Sequence, residues 1–155
     1  MKSRRTFIKM SMMGFGSLMV PQWLSAQHQK GDYIIGQGNH RYRVHAHWGD
    51  LNPAKYPIKD AHEMVIDRRG RLFLLTNETR NNVLIYDRSG KLLDTWGTEY
   101  PGAHGLTLHA EGSEEFLYIC DYERHQVIKT TLDGRPILTL DFPRDAGHYS
   151  ESAQF

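Results

Sequence analysis

The feature that most limits the fold of this chain is an internal repeat. The segment 61–96 returns as 103–140, with His62 matched by His104 at an offset of 42 residues. Past the next turn the offset becomes 44, so the two extra residues fall where RRGR becomes AEGSEE. Insertions belong in turns, because a strand cannot absorb one without exchanging its two faces. A repeat of this length therefore sets the architecture before any single motif is considered.

Each copy is predicted to form four short strands. The runs are rich in Val, Ile, Leu, Tyr, Phe and Thr, and they end at glycine-containing turns such as Ser89-Gly90 and Asp133-Gly134. The predicted strands are 62–67, 71–76, 82–87 and 91–96 in the first copy, and 104–109, 115–120, 125–130 and 136–141 in the second. The inner runs LFLLT and FLYIC are continuously apolar, as in strands that are buried on both faces. Four strands repeated in tandem predict an all-β fold in which each copy is one blade of a β-propeller.

The first 26 residues predict an export signal. Arg4 and Arg5 lie in a basic start, SRRTFIK, which is followed by an apolar stretch and by a small-residue cleavage site that ends at Ala26. The SRRTFIK segment resembles the twin-arginine export motif of bacteria. A short membrane anchor and an ordinary secretory signal are the alternatives. The pattern predicts a periplasmic or extracellular protein that has no membrane attachment once residues 1–26 are removed.

The rest of the chain has the composition of an ordinary exported domain. Without the basic residues of the signal, acidic residues outnumber basic ones, and no basic cluster remains. This charge distribution excludes a nucleic-acid partner. The single cysteine, Cys120, has no partner for an internal disulfide and lies in an apolar strand run, which predicts a small core residue.

The repeat predicts an incomplete propeller over residues 42–155. Residues 27–41 are polar and contain several glycines, which predicts a flexible leader. Residues 42–48 form one orphan strand in this interpretation, because a Trp-Gly pair ends it as Trp96 ends the first copy. Propellers need about four to eight blades to close. We therefore expect a piece of a larger ring, in which the two blades leave a sheet face open on each side.

Two segments of the repeat carry a resemblance to a known family. The segment DYERHQVIKTTLDGRPILTL resembles the NHL repeat, and IYDRSGKLLDTWG resembles its outer half. More narrowly, YPGAHGLTL followed by CDYERHQVIK is similar to the propeller of the peptidylglycine amidating lyases, also called peptidyl-hydroxyglycine amidolyases. The resemblance covers about residues 42–155 and implies a six-bladed ring. It also implies that the complete ring is a monomer and binds a peptide or small molecule in its central channel.

The same resemblance implies metal ions near the axis of the ring. The family's motif histidine is a zinc ligand and corresponds to His104, while two backbone carbonyls that bind calcium correspond to Leu106 and Met64. Zinc takes histidine nitrogens in tetrahedral geometry and polarises a bound oxygen, and calcium takes carbonyl oxygens. His62 begins the equivalent inner strand and could share a metal with His104. The alternative for both histidines is an imidazole that is hydrogen-bonded to backbone groups in the channel.

The departures from the lyase pattern leave three functions open. The family's first-blade arginine aligns with Asn77, with Arg80 only nearby, and its other zinc histidines and catalytic tyrosine would lie beyond Phe155. The candidates are a metal-dependent C–N lyase that releases a peptide amide and glyoxylate, a non-catalytic ligand-binding propeller, and a calcium-dependent lactonase-like hydrolase. The chain alone is expected to be inactive. Asn77 and Asp121, which end the second strands, are predicted to accept hydrogen bonds from loop amides.

Overall fold

The computed structural model describes residues 32–147, which divide into two compact units between Ala46 and His47. The first unit contains one β-hairpin, and the second contains two four-stranded antiparallel sheets and a short 3₁₀ helix at Arg144–Ala146. Within residues 32–147, no helix is long and apolar enough to cross a membrane. The predicted signal at 1–26 lies outside the described residues.

The hairpin of the first unit pairs strand β1 (Tyr33–Gln37) with strand β2 (His40–Val44). Between them lies the two-residue turn Gly38-Asn39, in which Gly38 has a φ of +57°. Such a positive φ is typical of tight hairpin turns, and glycine adopts it without steric cost.

This hairpin differs from the sequence-based expectation in two respects. The strand expected within residues 42–48 begins earlier, at His40, and it has a partner in β1. Part of the predicted leader, residues 33–37, is that partner strand. The Gly-Asn pair between two short β-prone runs was the available signal, because this pair suits a two-residue hairpin turn.

The second unit consists of the two predicted blades. The first sheet contains β3 (Ala61–Ile66), β4 (Leu72–Thr76), β5 (Val83–Tyr86) and β6 (Leu92–Trp96), and the second contains β7 (Ala103–Glu111), β8 (Glu114–Asp121), β9 (Gln126–Thr131) and β10 (Pro136–Leu140). In each sheet the strands pair in chain order. All eight strands lie within two residues of their predicted bounds. The predicted fold class, an all-β and incomplete propeller-like fold, is confirmed.

The hydrophobic core lies between the two sheets. Its fully buried members on the first sheet include Phe73 and Leu75 of β4, and those on the second include Leu117 and Ile119 of β8. The continuously apolar inner runs therefore meet face to face. Cys120 is exposed instead, so its prediction as a core residue is wrong. The reason is alternation along β8, which places Cys120 on the opposite face from Leu117 and Ile119.

Two equivalent tryptophans join successive parts of the second unit. The Nε1 of Trp96 donates to the carbonyl of Leu132, 3.1 Å away, and the Nε1 of Trp48 donates to the carbonyl of Arg88, 3.3 Å away. Each tryptophan also lies so close to the glycine of the same turn that a Cβ there would collide with it. The Trp-Gly pairs that the sequence analysis matched thus make the same contact, each with a turn of the next sheet along the chain.

The loops at one end of the sheets are held by the polar residues that end β4 and β8. The Oδ1 of Asn77 accepts a hydrogen bond from the amide of Asp60, 3.0 Å away. The carboxylate of Asp121 accepts from the amides of Gly102 and Arg124, at 3.3 and 2.9 Å. The predicted hydrogen bonds to loop amides are confirmed. They anchor the segments that lead into the innermost strands, where the candidate site lies.

Candidate functional site

The two predicted metal-ligating histidines occupy the same irregular position in both sheets. The register of β3 against β4 shifts just after Ala61, and the register of β7 against β8 shifts just after Ala103. His62 and His104 are therefore the extra residues of two equivalent β-bulges. A bulge leaves its extra residue outside the ladder and redirects its side chain, and bulges are frequent beside functional sites.

The bulges bring the two imidazoles together across the seam between the sheets. The ring centres of His62 and His104 are 4.3 Å apart with an interplanar angle of 32°, and both residues are exposed. The ring of Tyr122 meets His104 edge-on, with 6.3 Å between the ring centres. Two imidazoles on one tetrahedral zinc would have ring centres roughly 5 Å apart, given Zn–N bonds of about 2 Å. The ring centres of His62 and His104 are therefore somewhat closer together than those of two imidazoles on one zinc ion.

The donor set is nevertheless incomplete in this part of the chain. Within residues 32–147, no group of three or more His, Cys, Asp or Glu side chains is arranged to hold a metal ion. Structural zinc sites take four protein ligands, and catalytic sites take three together with a water or substrate. His62 and His104 fit two of these positions, and no reaction step follows from two ligands alone.

The two residues expected to offer carbonyls to calcium lie on the innermost strands. The amide of Leu106 donates to the Oε2 of Glu63, 2.6 Å away, so it points away from β8. The backbone amide of Asp67 donates to the carbonyl of Arg71, so these two residues form a hydrogen-bonded pair. Hydrogen-bonded and non-hydrogen-bonded pairs alternate along an antiparallel ladder, so Met64, three residues before Asp67, makes no backbone hydrogen bond to β4. The N–H and C=O of one residue in an antiparallel strand point to the same side. The carbonyls of Leu106 and Met64 thus face the free inner edges, and calcium binding there stays a prediction.

Glu63 belongs to this site, and the sequence analysis missed it. Its carboxylate accepts the Leu106 amide from the neighbouring sheet, 43 residues away in sequence. Comparison of the two copies does not reveal Glu63, because Gly105 stands at the equivalent position of the second sheet. The only sequence signal was an isolated acidic residue in the apolar strand run AHEMVI.

The charge of Glu63 also reaches Cys120. Partial burial of the thiol and then the negative charge of Glu63 raise the pKa of Cys120. We expect Glu63→Gln to lower this pKa, because the substitution removes the negative charge and leaves the burial of the thiol in place. Alkylation by iodoacetamide, followed across pH, should then shift to lower pH, since the thiolate is the reactive form.

The control for this pH profile is Glu115→Gln. Glu115 is an acidic residue of the same strand as Cys120, and its carboxylate accepts a hydrogen bond from the amide of Arg68. Its replacement should leave the alkylation profile of Cys120 unchanged. An identical profile for Glu63→Gln and the unsubstituted chain would contradict the assignment of Glu63 as a neighbouring charge.

The arginines at equivalent repeat positions make local contacts. Arg80 forms an ion pair with Glu78, with 2.9 Å between Nε and Oε1, and this hydrogen bond lowers the pKa of Glu78. Arg124 donates from Nη1 to the carbonyl of Glu99 at 2.9 Å. The arginine position of the lyase pattern is taken by Asn77, whose amide donates to a carboxylate oxygen of the Asp60 side chain. These contacts give both arginines a role in ordering loops.

A scan against protein-family models finds no match for this chain, and neither a search of curated proteins nor a search of solved structures finds one. The class of this protein therefore rests on its fold and its candidate site alone. It is an all-β, incomplete propeller-like domain in which two bulged histidines meet at the inner edge of adjacent sheets.

Proposed function

We propose that this chain is part of an exported NHL-type β-propeller that binds a divalent metal at its inner edge and acts as a lyase on peptides ending in α-hydroxyglycine. The observation that carries the proposal is the pairing of His62 and His104, whose ring centres lie 4.3 Å apart. The lyase class rests on the resemblance around His104, in YPGAHGLTL. Export rests on the signal in residues 1–26.

Each candidate residue has a distinct role in this proposal. His104 and His62 would each donate a ring nitrogen to zinc, which supplies a Lewis acid for a substrate oxygen when bound. The carbonyls of Leu106 and Met64 would bind calcium and hold two inner strands together. Glu63 stabilises the seam between the sheets by accepting a hydrogen bond from the backbone amide of Leu106.

A non-catalytic propeller that binds a peptide or small molecule is the second candidate. It is favoured by Asn77 at the position of the lyase arginine and by the two-histidine donor set of residues 32–147. Propellers support catalytic and purely binding functions on one architecture, so the fold does not separate the two candidates. They differ in whether glyoxylate is released from a peptidyl-α-hydroxyglycine by the exported protein.

Zinc titration of the full 155-residue chain tests the metal site. We expect one weakly bound zinc ion per chain, because the described residues supply only two ligands, and we expect His104→Ala or His62→Ala to weaken binding by at least about tenfold, or about 1.4 kcal/mol. Isothermal titration calorimetry, with zinc content measured after dialysis, gives both quantities. The matched control is His109→Ala, because His109 is another exposed histidine of β7 and its ring packs against Tyr118.

The control separates a defined site from general histidine affinity. Equal weakening by His109→Ala, or unchanged affinity after both test substitutions, would overturn the zinc site. A separate assay for glyoxylate tests the lyase on the complete exported propeller with a peptidyl-α-hydroxyglycine, because this chain alone is expected to be inactive. Stoichiometric zinc without glyoxylate would leave the metal site standing and would favour the binding function.

A further inference from the structure

The contact between the two sheets is a template for the surfaces that each sheet leaves open. We call the face of the first sheet that bears Phe73 and Leu75 its trailing face, and the face of the second sheet that bears Leu117 and Ile119 its leading face. These two faces pack against each other and form the core. Because the sheets are repeats, the first sheet also has a leading face, and the second also has a trailing face.

The leading face of the first sheet is apolar and exposed where its repeat equivalent is buried. Counted from the bulges, Met64 and Ile66 correspond to Leu106 and Leu108 of the core contact. Met64 is 42% exposed and Ile66 is 55% exposed, whereas Leu106 is 1% exposed. At the outer strands the same face is covered by Trp48, which packs on Tyr86. The open part is thus the inner half, which matches the part of the second sheet that packs on the first.

The trailing face of the second sheet is also open and partly apolar. Val127 corresponds to the buried Val83 of the first sheet, and the β10 residues Leu138 and Leu140 beside it are 48% and 53% exposed. A cavity of about 530 Å³ on this face is lined in part by Cys120, Val127 and Leu140.

Lys129, a charged residue on this trailing face, is already paired within its own sheet. The Nζ of Lys129 lies 2.6 and 2.7 Å from the two carboxylate oxygens of Glu111, and 4.1 Å from the centre of the Phe116 ring. A lysine held in this way by an acid and an aromatic ring needs little additional water. An apolar surface can therefore cover the trailing face without leaving this charge unpaired.

We propose that copies of this chain associate head to tail, with the trailing face of the second sheet of one copy on the leading face of the first sheet of the next. The contact would repeat the sheet-to-sheet packing within the chain, in which the trailing face of the first sheet and the leading face of the second are complementary. Such a contact joins different surfaces of the two partners, so it adds copies until a ring closes. It removes two exposed apolar patches from water and does not depend on metal binding.

Sedimentation or light scattering of the full chain over a range of micromolar concentrations tests this association. The expected result is a mass that rises with concentration in the unsubstituted chain. Ile66→Lys on the leading face and Leu140→Lys on the trailing face should each give a monomer. Thr139→Lys is the matched control, because Thr139 is exposed on the opposite face of β10, and it should associate as the unsubstituted chain does.

Mixing the two monomeric variants is the decisive arm. Each variant keeps one intact face, so an equimolar mixture of Ile66→Lys and Leu140→Lys should form a dimer and nothing larger. A monomeric unsubstituted chain would overturn the proposal. Association that survives both substitutions would also overturn it, because association would then not depend on these two faces.

Discussion

Replacing Phe73 with alanine is expected to lower the free energy of unfolding by about 3–5 kcal/mol, which is the usual cost of removing a buried phenylalanine. The ring of Phe73 is fully buried and packs in the core between the two sheets. Its loss removes contacts on both sides of the seam, and the β-sheet backbone cannot move inward to fill the space. Single domains are stable by about 5–15 kcal/mol, so a large part of the stability should be lost. Equilibrium unfolding in urea, followed by tryptophan fluorescence, measures the change.

The control for Phe73 is an exposed apolar residue of the same sheet. Leu93 lies on the outermost strand and is 47% exposed, so Leu93→Ala should change stability by no more than about 0.5 kcal/mol. Both variants are compared at a concentration where the unsubstituted chain is monomeric. Similar losses for the two substitutions would mean that the seam between the sheets is not the main core.

Replacing Asn82 with alanine is expected to have the second large effect, a loss of roughly 3–6 kcal/mol, because three hydrogen bonds to buried backbone groups are removed. The side-chain nitrogen Nδ2 of Asn82 donates to the backbone carbonyls of Thr76 and Tyr100, at 3.1 and 2.9 Å. Its Oδ1 accepts from the backbone amide of Tyr100 at 3.1 Å. Asn82 is fully buried, so water cannot replace these bonds in the intact fold. Thermal and urea unfolding should both show the loss.

The repeat offers a matched control in Gln126, which stands at the position equivalent to Asn82. Its Nε2 donates to the side chain of Asp141 at 2.6 Å, and this contact is exposed. We expect Gln126→Ala to cost no more than about 1 kcal/mol, as for an ordinary solvent-accessible hydrogen bond. A loss as large as that of Asn82→Ala would contradict the view that buried backbone partners cause the effect.

The repeat made most of the second unit predictable from sequence. Turn glycines such as Gly70 and Gly90 adopt positive φ values, so they mark strand ends reliably. The continuously apolar runs also identified the second strand of each sheet, although β8 is covered on one face only and Cys120 is exposed on the other. Offsets alone did not reveal that both repeats contain a bulge, since the extra residue is present in each copy and cancels in the comparison.

The candidate site was predictable only in its residue types. The matched positions of His62 and His104 put both histidines at the start of innermost strands, which sequence comparison could establish. Their approach to 4.3 Å depends on how the two sheets pack and on where the bulges turn the side chains. The hydrogen bond of Glu63 to Leu106 is likewise a contact between sheets, and no local pattern encodes it.

The sequence by itself determined that residues 61–140 form two repeated antiparallel sheets, because periodic apolar runs and glycine turns act locally along each copy. Only the tertiary structure decided which face of each strand is covered. Adjacent residues such as Ile119 and Cys120 are both apolar, and only the packing of the sheets makes one buried and the other exposed. The same packing decided that two histidines from different sheets lie side by side. Contacts of this kind depend on distances in space, and separation along the chain does not specify them.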